Sequence, residues 1–212
     1  GWPDVAHGLA RGGGGARRRA HPLALGAAIR HDWQRIDAIY PQIVFAWQQC
    51  AQDNPTLDDL LPLIRGLRIF QKRRGLWQDY LNWANHALAL AKAEDRTSDA
   101  ATLLNNIGGV YSDLGDKPQA LSFYNQALPL MRQVGDKAGE ATTLNNLAHI
   151  LFQDGKYTES AALLEQVITI LHSVGAVAEE AAVLCNLAWV LAKALNRPVD
   201  AAELLERSVA IL

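Results

Sequence analysis

The sequence predicts an all-α protein built as a solenoid of antiparallel helix pairs. Three observations predict it. From residue 31 onward Ala, Leu, Gln, Glu and Arg dominate, all good helix formers, and no alternation of β-branched residues persists. Apolar residues recur at steps of three and four, the spacing of one helical face. A segment also repeats: Thr102-Leu103-Leu104-Asn105-Asn106-Ile107 returns as Thr142-Thr143-Leu144-Asn145-Asn146-Leu147, and again as Ala182-Val183-Leu184-Cys185-Asn186-Leu187. The offset is 40 both times.

Composition bounds the function. Half of the 212 residues are hydrophobic and a fifth are charged, enough for one ordinary domain or one array of repeats. The net charge of -2 gives the chain no global basic character to draw it to nucleic acid or to an acidic membrane surface. Two cysteines are too few for a disulfide framework or a structural zinc site. No apolar run approaches the roughly 20 residues of a membrane span. There is no starting Met and no secretory signal pattern, so a cytoplasmic fragment is expected.

The elements follow in order. Residues 1–20 read as a flexible basic tail. Five Arg face Asp4 alone between Gly1 and Arg30, and the run Gly12-Gly13-Gly14-Gly15 carries a high ordering cost and buries nothing. Residues 21–56 form an N-terminal helical segment. Within it Trp33, Ile36, Ile39, Tyr40, Ile43, Val44 and Trp47 make one wide apolar face, with a kink or break expected at Pro41. Asp53-Asn54-Pro55-Thr56 reads as a stop, turn and restart.

Residues 57–95 are a degenerate repeat. Gly75 lies 40 before Gly115, and Leu81, Trp83, Asn85, Ala87, Leu88 and Leu90 fall under Leu121, Phe123, Asn125, Ala127, Leu128 and Leu130. Tyr80 stands where the pattern has Ala120, and Arg68 where it has Gly108, so this pair is expected to pack differently, with its helices wider apart. Residues 96–135, 136–175 and 176–212 are three clear repeats of two helices each. In the first, Leu104, Ile107, Gly108 and Tyr111 form the stripe of one helix. Gly115 ends it by taking the left-handed conformation, and a second helix starts at Pro118. Gly108 and Ala120 suit a close helix approach, and Tyr111 and Tyr124 fill the gaps between successive pairs. The third repeat has one inserted residue and no Gly around Leu195-Asn196-Arg197.

This pattern resembles the tetratricopeptide repeat family. The residues that carry the likeness are Leu104, Ile107, Gly108, Tyr111, Ala120, Tyr124 and Ala127; then Leu144, Leu147, Ala148, Leu151, Ser160, Leu164 and Val167; then Leu184, Leu187, Ala188, Leu191, Ala201, Leu205 and Ser208. A period of 40 exceeds the family's usual 34, so the helices or their connections should be longer. Long-helix relatives include kinesin light chains, bacterial peptide-sensing regulators and the sensor regions of bacterial signalling NTPases. Residues 32–90 are similar to the last group through Asp37-Ala38-Ile39-Tyr40-Pro41-Gln42-Ile43, Ala46-Trp47 and Arg74-Gly75-Leu76-Trp77.

The resemblance implies a concave groove lined by the first helix of each pair. It places Asn106, Asn146 and Asn186 there at equal spacing, sharing the surface with Asn105, Gly109, Ser112, Asp113, Asn145, His149, Phe152, Trp189 and Lys193. An Asn amide donates and accepts at once, so it can hold a peptide backbone without reading its side chains; the same amides can instead satisfy neighbouring helix groups or face water. Trp189 is a candidate aromatic anchor, because Leu187 and Leu191 occupy the core stripe. Lys193 is the one basic residue on this surface, which argues against a clamp for a partner's C-terminal carboxylate.

No catalytic pattern is present. There is no GxxxxGK[ST] loop and no HExxH, and the six His are scattered. Cys185 reads as a buried small hydrophobe rather than a nucleophile. The expected function is therefore a non-enzymatic module without cofactor or metal. It binds a protein or peptide in its groove, as the sensor part of a larger bacterial signalling protein, or docks on that protein's ATPase core. A small-molecule regulatory domain and a self-associating scaffold are the alternatives. The apolar stripe Leu204, Leu205 and Val209 runs on to Ile211-Leu212 without a polar cap, which implies a C-terminal end that self-associates or packs on a neighbour.

Overall fold

The structure, a computed structural model, describes residues 33–52 and 55–212. The tail of residues 1–20, and the first part of the segment that follows it, lie outside the described residues. Among the described residues the secondary structure is entirely helical: α1 (Trp33–Gln52), α2 (Leu57–Arg74), α3 (Trp77–Ala93), α4 (Thr97–Asp113), α5 (Lys117–Val134), α6 (Lys137–Gln153), α7 (Tyr157–Ser173), α8 (Val177–Lys193) and α9 (Pro198–Ala210). The chain divides into two units, one ending at Ala93 and one starting at Glu94.

Helix length follows from regularly placed left-handed corners. Positive φ occurs at Gly75, Asp95, Gly115, Gly135, Gly155, Gly175 and Asn196, so one falls at every twentieth position until the inserted residue delays the last. At Gly115 the N–H of Asp116 reaches back to the Tyr111 carbonyl at 2.9 Å, and the N–H of Gly115 to that of Ser112 at 3.1 Å. These bonds satisfy carbonyls the helix end leaves free. Asp95 and Asn196 take the same left-handed backbone without glycine, as short polar side chains tolerate this region better than most. The long period therefore lengthens the helices. Those from α2 to α8 have 17 or 18 residues, about 26 Å at 1.5 Å per residue.

In the first unit α1 is one continuous helix, so Pro41 does not break it. Tertiary contacts hold both sides of the proline. Ile36 and Ile43 are buried. Tyr40 donates to Asp79 Oδ2 at 2.9 Å and accepts from Gln71 Nε2 at 3.0 Å. Further along the helix, Trp47 stacks on Trp83 with ring centres 4.5 Å apart and planes 15° from parallel. Arg74 pairs with Asp37. α2 opens with Asp59 reaching back to both the N–H and the hydroxyl of Thr56. The backbones of α2 and α3 lie close along less of their length than those of the pairs in the second unit. Tyr80 is buried there, and burial pushes its hydroxyl up to about 12.

The second unit is an all-α solenoid of three antiparallel pairs, α4/α5, α6/α7 and α8/α9, with α5 packed on α6 and α7 on α8. Within the first pair the Tyr124 ring lies directly over Gly108: a Cβ built on Gly108 would stand 2.8 Å from two of its ring carbons. Tyr124 also joins Leu147 and Ile150 of the next pair, so one aromatic ring fills both gaps. In the second pair Ser160 occupies the Ala120 position, and its hydroxyl donates to the Ala148 carbonyl at 2.7 Å. The core continues through Leu144, Leu164, Ile168, Leu184, Leu187 and Leu191.

Two buried acids tie successive pairs together. Glu140 on α6 accepts from Arg132 of α5 at 2.7 Å and from Lys137 at 2.9 Å. Glu180, at the equivalent position of α8, meets His172 of α7 at 3.1 Å and accepts from Arg207 of α9 at 2.5 Å. Burial alone would raise the Glu140 pKa, but the hydrogen bonds and charges of Arg132 and Lys137 outweigh it and hold it below 4.5. A carboxylate depressed in the folded state stabilises it above the unfolded value, and that contribution disappears as pH falls through the folded value. Glu140→Gln should therefore cost about 0.5–1.5 kcal/mol at neutral pH, a modest sum because both cations are half exposed. Thermal melts of both proteins should converge at pH values below 4.5. A constant gap across that range would show that the loss is packing and not charge.

Candidate interaction surface

The polar residues singled out on α4, α6 and α8 occupy three successive turns of each helix. The register of 40 arranges them in rows: Asn105, Asn145 and Cys185; Asn106, Asn146 and Asn186; Gly109, His149 and Trp189; Ser112, Phe152 and Ala192; Asp113, Gln153 and Lys193. None of these residues is fully buried, whereas Ile107, Leu147 and Leu187 on the same helices are.

The rows are not uniform along the array. Between the first two repeats the amides bond to the protein itself. Asn105 Oδ1 accepts from Asn146 Nδ2 at 3.3 Å and lies 3.1 Å from Thr143 Oγ1, whose hydroxyl also reaches the Gly139 carbonyl. Thr143 is not among the residues the sequence singles out. Between the second and third repeats Val183 replaces Thr143, no hydroxyl remains at that site, and Asn186 is exposed. Ser112 is half buried and hydrogen-bonds Tyr124; burial, chiefly, and then the charge of Asp113 push that tyrosine up to about 12. His149 is exposed and lies 3.3 Å from Gln153 Nε2 on the next turn of α6.

The aromatic residues gather toward the third repeat. Trp189 is 52% exposed, and its ring centre lies 4.7 Å from that of Phe152 on the neighbouring first helix. Phe152 in turn lies 5.2 Å from Tyr157. Lys193 stands one turn beyond Trp189 and is exposed. The result is a ledge of two rings with an amide on one side and a cation on the other.

Cys185 is a correction: it is exposed, not buried, with its sulfur 3.4 Å from Ser208 Oγ. Leu184, Leu187 and Leu191 face the core, and Cys185 lies about 100° around α8 from Leu184, at the rim of that stripe beside α9. Among the described residues no group of three or more His, Cys, Asp and Glu is placed to hold a metal ion. No described helix is long and apolar enough to cross a membrane.

Comparison with known proteins agrees with this architecture. The crystal structure of BtubC (BKLC) from P. vanneervenii superposes with a TM-score of 0.71 at 19% identity, covering 99% of this chain and 88% of that one. Two structures of the nearly identical TPR-like repeats of a candidate kinesin light chain from Podosopora anserina follow. One, a form with a single substitution, has a TM-score of 0.70 at 18% identity and covers 90% of this chain and 95% of that one. The other has 0.68 at 18%, covering 91% and 96%. At such identities the likeness is one of fold. Among curated proteins none matches the chain significantly. The sequence profile described as Tetratricopeptide repeat matches residues 69–133 and 139–212. With helix pairs, corner residues and small-to-large contacts all falling in that register, the chain belongs to the tetratricopeptide repeat family, whose repeats form a protein-interaction scaffold.

Proposed function

We propose that the first-helix face of α6 and α8 binds an extended segment of a partner protein or peptide. The observation that supports this reading most is Trp189. A large aromatic side chain half open to water, seated on a second ring and flanked by Asn186 and Lys193, is costly to leave bare and suited to anchor a partner's apolar side chain. First helices stack at roughly 10 Å, and an extended chain rises about 3.3 Å per residue, so each repeat meets every third residue of the segment. Asn186 and Asn145 then serve its backbone, while Asn146 and Asn105 hold the first two repeats in register.

The experiment is a peptide-library selection on the whole chain, followed by titration of the selected peptides. Trp189→Ala should weaken binding about tenfold or more, the effect of losing an interface anchor, with only a small fall in melting temperature from the lost contact with Phe152. Asn186→Ala should weaken it modestly, and Asn146→Ala should instead lower the stability of the empty protein by about 0.5–1.5 kcal/mol. Equal binding by wild type and Trp189→Ala would retire this surface.

In its wider setting the chain acts as the partner-sensing region of a bacterial cytoplasmic signalling protein. That reading rests on the likeness of residues 32–90 to the helical region of signalling NTPases. It is checked in the gene: coding sequence upstream of Gly1 should specify a P-loop, and its absence would remove this part of the proposal without touching the peptide surface.

A further inference from the structure

Charge changes sign along the first-helix face of the second unit. The helices α4, α6 and α8 end on Asp113, Gln153 and Lys193: an acid, a neutral amide and a base at equivalent positions, all three exposed. The corners that follow keep this order. Residues 113–117 carry a net charge of -1, from Asp113, Asp116 and Lys117; residues 153–157 carry none, from Asp154 and Lys156; residues 193–197 carry Lys193 and Arg197 with no acid. Arg197 is engaged by Asp200 at 2.5 Å, so Lys193 is the cation that faces a ligand at this end. The other acids on this side of α4 and α8, Asp99 and Glu179, stand fourteen residues before Asp113 and Lys193, about 21 Å away along each helix. Side-chain size changes in step with charge, through Gly109, His149 and Trp189. A Cβ built on Gly109 would have the Tyr124 hydroxyl as its neighbour at 3.8 Å, so the face is open there, whereas on α8 it carries the Trp189 ring.

We infer that this face reads the order of charges in the segment it binds, taking an acidic residue within two positions of the apolar anchor and a Lys or Arg about six positions away. This rests on the peptide surface proposed above and adds the partner's chemistry to it. With the apolar side chain on Trp189 and Phe152, a neighbouring acid comes within reach of Lys193, one turn further along α8. Two helix steps of roughly 10 Å separate α8 from α4, and an extended chain rising about 3.3 Å per residue covers them in roughly six residues. The side chain arriving there lays its aliphatic stem across Gly109 and brings its charge to Asp113. A segment of the opposite order sets base against Lys193 and acid against Asp113, and like charges brought together in an interface repel.

The probe is a library of peptides of about twelve residues, long enough to cross all three first helices, selected on the whole chain. The selected sequences should share the stated order, and exchanging the acid and the base within one of them should weaken its binding to the native chain about tenfold in fluorescence anisotropy at low salt. The double variant Asp113→Lys, Lys193→Asp changes two exposed side chains, and circular dichroism should show its fold intact. It should prefer the exchanged peptide by a similar factor, and about 0.5 M salt should shrink both preferences. Trp189→Ala should weaken both peptides alike. Peptides that need Trp189 but show no charge order, or that bind the native chain and the double variant equally, overturn the inference and leave the peptide surface standing. Peptides indifferent to Trp189→Ala, or a selection that yields none, overturn both.

Discussion

Replacing Gly108 by Ala lowers the stability of the repeat unit by about 1–2 kcal/mol, although Ala is the better helix former by about 1 kcal/mol. The reason is contact. The new methyl would stand 2.8 Å from Cδ1 and Cε1 of Tyr124 and 3.3 Å from the Phe123 Cβ. Overpacking of a tight core costs about 1–3 kcal/mol, occasionally more. The ring has little room to withdraw, since Tyr124 is 2% exposed and clusters with Leu147 and Ile150. The other repeats show the alternative solution: Ala148 stands with Leu164, and Ala188 with Leu205, a larger residue on the first helix facing a smaller one on the second. Tyr124→Leu alone leaves a cavity and should cost about 2–4 kcal/mol. Adding Gly108→Ala to Tyr124→Leu should then restore stability instead of removing more. Chemical denaturation of the four proteins gives the coupling, expected at about 1–2 kcal/mol. Additive losses would mean that the two residues do not share the gap.

The same comparison shows what local pattern reveals and what it hides. Helices and their ends are legible because stripes such as Leu104, Ile107, Gly108 and Tyr111 and corners such as Gly115 are local signals. Asp95 does not announce itself as a corner, because aspartate adopts left-handed backbone only occasionally; its place midway between Gly75 and Gly115 is the available clue. Pro41 by itself predicts a disturbed helix, and the packing of Tyr40, Ile43 and Trp47 against distant parts of the chain overrides that local preference. Glu140 and Glu180 escape a search for apolar stripes, which does not look for buried acids. Yet Arg132 and His172 precede them at the same spacing of eight, and that recurrence is visible in the sequence. The bond between Asn105 and Asn146 depends on how one helix staggers against the next, a quantity no single repeat encodes. For Cys185 the stripe gives the helix but not the exposure of its edge.

Trp83→Ala should be the most damaging single change in the first unit, costing about 3–5 kcal/mol. Trp83 is 3% exposed and takes part in two aromatic contacts, the second of which leads on to a third. Trp47 stacks on it at 4.5 Å, Tyr40 lies 6.4 Å away with planes 23° apart, and Tyr40 itself contacts Phe70 at 5.3 Å. Truncation removes a large apolar area and the stacking that holds α1, while the polar bridge from Gln71 through Tyr40 to Asp79 loses the ring that shields it. Trp47→Ala removes the other half of the stack and should cost less, because Trp83 keeps its place within α3 and its contact with Tyr40. The two changes together should fall short of the sum of the singles, since each removes the same stack. Two indoles this close couple their transitions, so the near-ultraviolet circular dichroism of the native chain should lose one common band in either variant. Hydrogen exchange then locates the damage: amides of α1 should lose protection and those of α6 and α7 should keep theirs. Full protection of α1 in Trp83→Ala would show that the helix is held by its aliphatic residues Ile36 and Ile43, and that the stacked rings contribute little.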